Sequence, residues 1–138
     1  MIEYTKPIPD KTEQNAPFFQ GSVDGKLRLQ RSTSTGAYRF PYAPCDPVDL
    51  STAAEWVDVS GRATLWSWTI FHQVYFPSFK NDLPYPVIFV QLEEGPFMMA
   101  TIPADVNIEH LRIDMPMQVE FEPATEEFSL AKFRPVAS

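Results

Sequence analysis

One segment constrains this chain more than any other: Glu55-Trp56-Val57-Asp58-Val59-Ser60-Gly61-Arg62-Ala63-Thr64-Leu65-Trp66-Ser67-Trp68-Thr69-Ile70-Phe71-His72. β-Branched and aromatic residues crowd it, and such side chains fit a pleated, half-buried surface. Its apolar positions are odd-numbered at first (Val57, Val59, Ala63, Leu65) and even-numbered later (Trp66, Trp68, Ile70). Successive strand residues face opposite sides, so a change of parity requires an inserted residue. Gly61 permits a bulge, and the slip is expected between Gly61 and Trp66. A long strand that exchanges its inner face midway can bend and serve both halves of a small barrel. The segment is therefore read as the first strand of a five-stranded OB barrel, with Trp66 and Trp68 in its core.

The remaining elements are short. Fourteen prolines against five glycines argue for stiff connections and against a helical bundle. Residues 1–14 are polar and proline-punctuated, an extended arm. A helix is expected over Pro17–Val23, with Asn15 or Ala16 at its cap, Pro17 in the first turn and Gly25 just past the end. Phe18 and Phe19 are its anchors on the core. Leu27 and Leu29, the turn Ser32-Thr33-Ser34-Thr35-Gly36, then Tyr38 and Phe40 read as a hairpin. Ile88, Val90 and Leu92 share one strand face, Phe97–Ile102 pairs back, and Asn107 caps a helical turn. Met117, Val119 and Phe121 alternate with Gln118, Glu120 and Glu122 in a half-exposed strand, and Phe128–Phe133 closes the barrel. The fold class is mainly β, divided into residues 1–25 (arm and helix), 26–52 (hairpin) and 53–138 (barrel).

Function is less legible. The opening residues have no apolar signal region, and no apolar run is long enough to span a membrane. A single cysteine excludes an internal disulfide and fits a reducing cytoplasm. The net charge is −7, and from Glu93 to Glu127 nine acidic residues face only Arg112. That half repels a phosphate backbone, so no nucleic acid is expected as a partner. Between Lys26 and Arg62 five basic residues stand against four acidic ones, which leaves room for one small anionic group. His72 and His110 are far apart and lack a carboxylate at ligand spacing, and Cys45 has no paired histidine. Glu93 and Glu94 are neighbours, which on a strand would send their carboxylates to opposite faces. No catalytic constellation emerges. The proline-rich stretch from His72 to Tyr85 carries Tyr75, Phe76, Phe79 and Tyr85, too many rings for a plain hairpin loop.

Several short motifs, taken in order, resemble one family. They are Pro7-Ile8-Pro9-Asp10, Pro17-Phe18-Phe19, Leu29-Gln30-Arg31, Gly36-Ala37-Tyr38-Arg39-Phe40-Pro41, Glu55-Trp56-Val57 with Ser60-Gly61-Arg62, Leu92-Glu93-Glu94-Gly95-Pro96 and Phe133-Arg134-Pro135. The series is similar to that of the DUF35 family, in which an N-terminal helix and a rubredoxin-like zinc ribbon precede an OB-fold domain. The resemblance implies a non-catalytic subunit that accompanies a thiolase-like condensing enzyme or an acyl-CoA hydratase in lipid metabolism and associates with acyl-CoA. It also places two Cys-x-x-Cys knuckles on Ser32 and Thr35 and on Cys45 and Val48, of which only Cys45 is a cysteine. Structural zinc wants four thiolate or imidazole ligands, so zinc is expected to be absent. With Arg39 and Arg62 in the basic region and Lys80 in the aromatic loop, a cleft lined by Arg39, His72, Phe79 and Lys80 is the expected acyl-CoA or partner site. The competing reading is a free-standing OB module that stacks single-stranded nucleic acid on Trp66, Trp68 and Phe97.

Overall fold

The computed structural model of the chain describes residues 4–136. Strands β1 (Arg28–Ser32), β2 (Tyr38–Arg39) and β3 (Ala54–Asp58) form a small antiparallel sheet in the order β2-β1-β3. Strands β4 (Arg62–Phe71), β5 (Tyr85–Leu92), β6 (Phe97–Ala100), β7 (Pro116–Pro123) and β8 (Ser129–Pro135) form a second sheet in the order β6-β5-β4-β7-β8. This sheet curls on itself: Thr101 bridges Lys132 in parallel, and the Phe133 N–H donates to the Thr101 carbonyl at 3.0 Å. The result is the five-stranded OB-type barrel that the alternation predicts.

The stretch expected to be one long strand is two strands in two sheets. β3 pairs with β1, Val57 opposite Leu29, while β4 pairs with β5 and β7. Gly61 separates them with a φ of +75°, a left-handed conformation that costs an L-residue with a side chain and that glycine adopts freely. The parity change has a separate cause. Pairing with β5 runs Leu65 to Val90 and then Ser67 to Phe89, so Trp66 is the inserted residue. The bulge thus falls at the end of the expected window, but its consequence for Trp66 is a correction. A bulged residue is released from the alternation, and Trp66 is 53% exposed, with its ring edge-on to Phe97 at 5.1 Å instead of in the core. Trp68 is half-buried against the core.

Leu65, Ile88, Val90 and Phe133 are fully buried at the barrel centre, each contributing about 1.5–3 kcal/mol by burial. Leu27 and Leu29 extend the same cluster into the small sheet. Helix α1 (Ala16–Val23) ties the two sheets together: Phe18 packs on Phe40 with centroids 5.6 Å apart, and Phe19 on Phe128 at 6.2 Å. The Ser129 N–H donates to Ser22 Oγ at 2.9 Å. Asn15 occupies the N-cap position, yet its buried amide serves the arm instead of the helix, accepting from the Thr12 N–H at 2.7 Å and donating to the Asp10 carbonyl at 2.9 Å. Asn107 does cap its turn, its Oδ1 accepting from the Glu109 N–H at 2.9 Å.

Candidate functional site

β5 is apolar on both faces. Pro86, Ile88, Val90 and Leu92 are buried, while Tyr85, Val87 and Phe89 on the opposite face are half-exposed. β6 repeats this, with Met98 inside and Phe97 and Met99 outside. Register pairs Phe89 with Met99 and Gln91 with Phe97, so these outer side chains form one patch. Within it Phe89 and Phe97 stack at 5.1 Å with planes 14° apart, and Met99 is 68% exposed. Water in contact with that much adjoining apolar surface is unfavourable, and such patches mark contact sites.

The small sheet stands beside this patch and turns it into a cleft. Tyr38, Arg39, Phe40 and Pro41 form one wall; Phe89, Pro96, Phe97 and Met99 form the other, around an open volume of about 630 Å³. A smaller hollow of about 230 Å³ over Ser67, Thr69, Phe71 and Val87 shares Phe89 and Met99 with the first. Together they make a continuous apolar track across the outer face of β4, β5 and β6.

Arg39 is the cation at one end of this track. Its Nε donates to Gln30 Oε1 at 3.0 Å and its Nη2 to the Ala43 carbonyl at 3.0 Å. Gln30 Oε1 also accepts from the Ala43 N–H at 2.8 Å, so the guanidinium is held rigidly. Its Nη1 is buried and has no hydrogen-bond partner among the described residues. An unpaired donor on a charged group is costly; because this atom is closed off from solvent, the guanidinium serves the cleft through its charge and not through a free donor.

The other expected site residues lie elsewhere. Phe79 sits in a 3-10 turn over Pro77–Asp82, beneath the Lys6 ammonium at 5.4 Å and 5.7 Å from Tyr85. Tyr85 in turn stacks on Phe71 at 5.3 Å, which connects the loop to the far end of the track. His72 and Lys80 are exposed on this loop and line neither hollow. Tyr75 and Phe76 remain 64% and 54% exposed. Of the four residues expected in the cleft, Arg39 alone lines it; Phe89 and Met99 were not among the candidates, and Phe97 entered only as a stacking platform of the competing reading. A signal for them exists: Val87 and Phe89 interleave with Ile88 and Val90, and a strand apolar on both faces needs cover on both.

The carboxylates of Glu93 and Glu94 correct another expectation. Both lie in the turn after β5, where strand alternation no longer applies, and both meet Ser60. Ser60 Oγ is 2.8 Å from Glu93 Oε2 and 3.1 Å from Glu94 Oε2, and the Ser60 N–H donates to Glu94 Oε2 at 3.1 Å. The Arg62 guanidinium, with help from Ser60, holds the Glu93 carboxyl below the usual carboxylate range. The cluster latches the linker between the sheets. Among the described residues His72, His110 and Cys45 have no side-chain hydrogen bond that would make an acid–base pair, and no helix is long and apolar enough to cross a membrane.

Comparison with known proteins places this architecture. Residues 56–122 match the family described as ChsH2, C-terminal OB-fold domain. A DUF35 domain-containing scaffold protein of Pyrococcus furiosus is 33% identical over 108 residues, 73% of this chain and 77% of the relative. The chain belongs to the DUF35 family. This DUF35 chain is also 28% identical over 130 residues to a probable enoyl-CoA hydratase alpha subunit of Thermomonospora curvata, covering 94% of the chain and 40% of the relative. It is 28% identical over 113 residues to the 3-oxo-4,17-pregnadiene-20-carboxyl-CoA hydratase alpha subunit of Mycobacterium tuberculosis, covering 82% of the chain and 35% of the relative. It thus spans well under half the length of either hydratase subunit. Among solved structures, one titled Ltp2-ChsH2(DUF35) aldolase superposes with a TM-score of 0.81 at 27% identity, over 93% of this chain and 98% of that one.

Proposed function

We propose that this DUF35 chain is a non-catalytic accessory subunit of an enzyme acting on acyl-CoA thioesters, either a thiolase-like condensing enzyme or a hydratase, in lipid metabolism. The observation that carries this reading is the apolar track on the outer face of β4, β5 and β6, with the Arg39 guanidinium lining one end. Its chemistry suits an apolar acyl chain with a carbonyl or phosphate oxygen at one end. The names of the hydratase subunits and of the aldolase complex support the same partner class. His72, Phe79 and Lys80 extend the contact surface at the other end, where Lys80 supplies positive charge for a CoA phosphate. The chain works in the cytoplasm and takes no metal into this chemistry.

Co-purification from the native host is expected to recover a condensing enzyme or hydratase. Calorimetry with an acyl-CoA, with and without that partner, should then show binding that Arg39→Ala weakens by about tenfold or more, through loss of the positive charge at that end of the track. Failure to recover such a partner, together with unchanged binding in Arg39→Ala and in Phe79→Ala/Lys80→Ala, overturns the reading.

The exposed Trp66, edge-on to the half-buried Phe97, favours a second reading, base stacking on single-stranded nucleic acid. Charge opposes it: Arg62 pairs with Glu93, Lys132 with Glu122, and Arg134 with Asp105 and Glu120. Titration of a labelled single strand at moderate salt is expected to give only weak, non-specific binding; micromolar affinity with a steep salt slope would restore this alternative.

A further inference from the structure

The zinc ribbon implied by the family does not fit the residues of the small sheet. Tetrahedral zinc needs four nitrogen or sulfur donors at about 2.0–2.3 Å. Of the four knuckle positions, Val48 has no donor atom and is 83% exposed. Ser32 Oγ is already engaged with Ser34 Oγ at 2.9 Å and the Thr35 N–H at 3.4 Å. Only Cys45 offers a thiol. Among the described residues no group of three or more His, Cys, Asp or Glu is placed to hold a metal ion.

A different group spans the two turns. Asp46 is 2% exposed, and its Oδ2 accepts from Thr35 Oγ1 at 2.7 Å, reaching from the second turn to the first. Its Oδ1 accepts from the Val48 N–H at 2.7 Å and from the Asp49 N–H at 3.4 Å. The Asp46 backbone closes the same loop, its N–H donating to the Ser51 carbonyl and its carbonyl accepting from the Leu50 N–H, both at 2.9 Å. Among the described residues no cation pairs with this carboxylate, so hydrogen bonds from neutral donors compensate its burial. The Thr35 hydroxyl first, then the Val48 amide, keep the Asp46 carboxyl below its ordinary range.

We infer that the Asp46 carboxylate replaces the metal of a zinc ribbon, joining the turn at Ser32–Thr35 to the turn at Cys45–Val48 through hydrogen bonds, so that this small sheet folds without zinc. The substitution exchanges four metal–sulfur bonds for one acceptor shared among an O–H and two N–H donors, and it removes the dependence of folding on metal supply. It is independent of what the Arg39 cleft binds.

Three measurements on the full chain test it. Elemental analysis of the purified protein is expected to give far less than one zinc per chain, with the thermal midpoint unmoved by chelator. Asp46→Ala is expected to lower protection of the Val48 and Asp49 amides against hydrogen exchange at least tenfold, while the barrel amides of Leu65 and Val90 keep theirs. Adding Ser32→Cys, Thr35→Cys and Val48→Cys to Asp46→Ala rebuilds four thiolates with Cys45; this variant should take up one zinc and regain the lost thermal midpoint, which keeps the test decisive if Asp46→Ala alone does not fold. Stoichiometric sulfur-coordinated zinc in the native protein, unchanged exchange in Asp46→Ala, or a four-cysteine variant that ignores zinc would each overturn the inference.

Discussion

Phe133→Ala is expected to destabilise the protein by about 3–5 kcal/mol, the range for removing a fully buried aromatic side chain. Phe133 is 0% exposed and pairs with Val119 across β7 and β8. Its backbone N–H makes the hydrogen bond to Thr101 that closes the barrel. A cavity at that point removes packing from both edges of the curled sheet at once, where there is no neighbouring strand to collapse inward. Domains of this size have about 5–15 kcal/mol in total, so the variant sits near its unfolding threshold. Urea denaturation measures it, and Phe97→Ala on the outer face is the control, expected to cost far less. A loss below about 1.5 kcal/mol for Phe133→Ala would mean that the barrel does not depend on closure at this residue.

Phe133 was placed in advance only as the end of the closing strand Phe128–Phe133, whose apolar residues do not alternate. The inner faces legible in advance are those of Ile88, Val90 and Leu92, and of Met117, Val119 and Phe121, whose positions alternate. Where one face is wet and the other dry, as in β7, period two identifies the inner residues. The segment at 55–72 was harder for a physical reason. Its alternation is interrupted by two events, the left-handed turn at Gly61 and the bulge at Trp66, and a parity count registers only their combined result. Sheet membership of Ala54–Asp58 depends on pairing with Arg28–Ser32, a long-range choice that local pattern does not encode.

The candidate site was partly legible. Arg39 was picked as a cation of the basic region, and the structure places it on the wall of an apolar cleft. Phe89, Phe97 and Met99 were counted as strand residues, because a hydrophobic side chain looks the same in sequence whether it faces the core or an outer face awaiting cover. Asp46 lies between Pro44 and Pro47 with no sequence motif to single it out. Only the fold brings Thr35 to it across eleven positions of sequence. The two carboxylates at Ser60 were misjudged because they begin a turn rather than continue β5, a boundary of one residue that reverses the direction of a side chain.

Gly61→Ala is the substitution expected to separate the two sheets. At φ +75° an L-residue with a side chain pays about 1–2 kcal/mol. A Cβ there would also collide with the Val119 side chain and stand 2.8 Å from Gln118 Nε2. Relief requires β7 to move, yet β7 is fixed at this point by the Val119 N–H donating to the Gly61 carbonyl at 2.9 Å and by Gln118 Nε2 donating to the Ser60 carbonyl at 3.2 Å. Overpacking of this kind adds about 1–3 kcal/mol, giving a sum of about 2–5 kcal/mol. For a domain of this size that lowers the thermal midpoint by about 7–17 °C. The damage should be directional. The linker also carries the latch of Ser60 on Glu93 and Glu94, so its displacement shifts the small sheet, and Arg39 with it, relative to Phe89 and Phe97. Differential scanning calorimetry reads the stability. Hydrogen exchange on Leu29 and Val57 against Val90 and Leu92 tells whether the small sheet loosens first; a variant with an unchanged midpoint and equal protection in both sheets would show that Gly61 is not the joint between them.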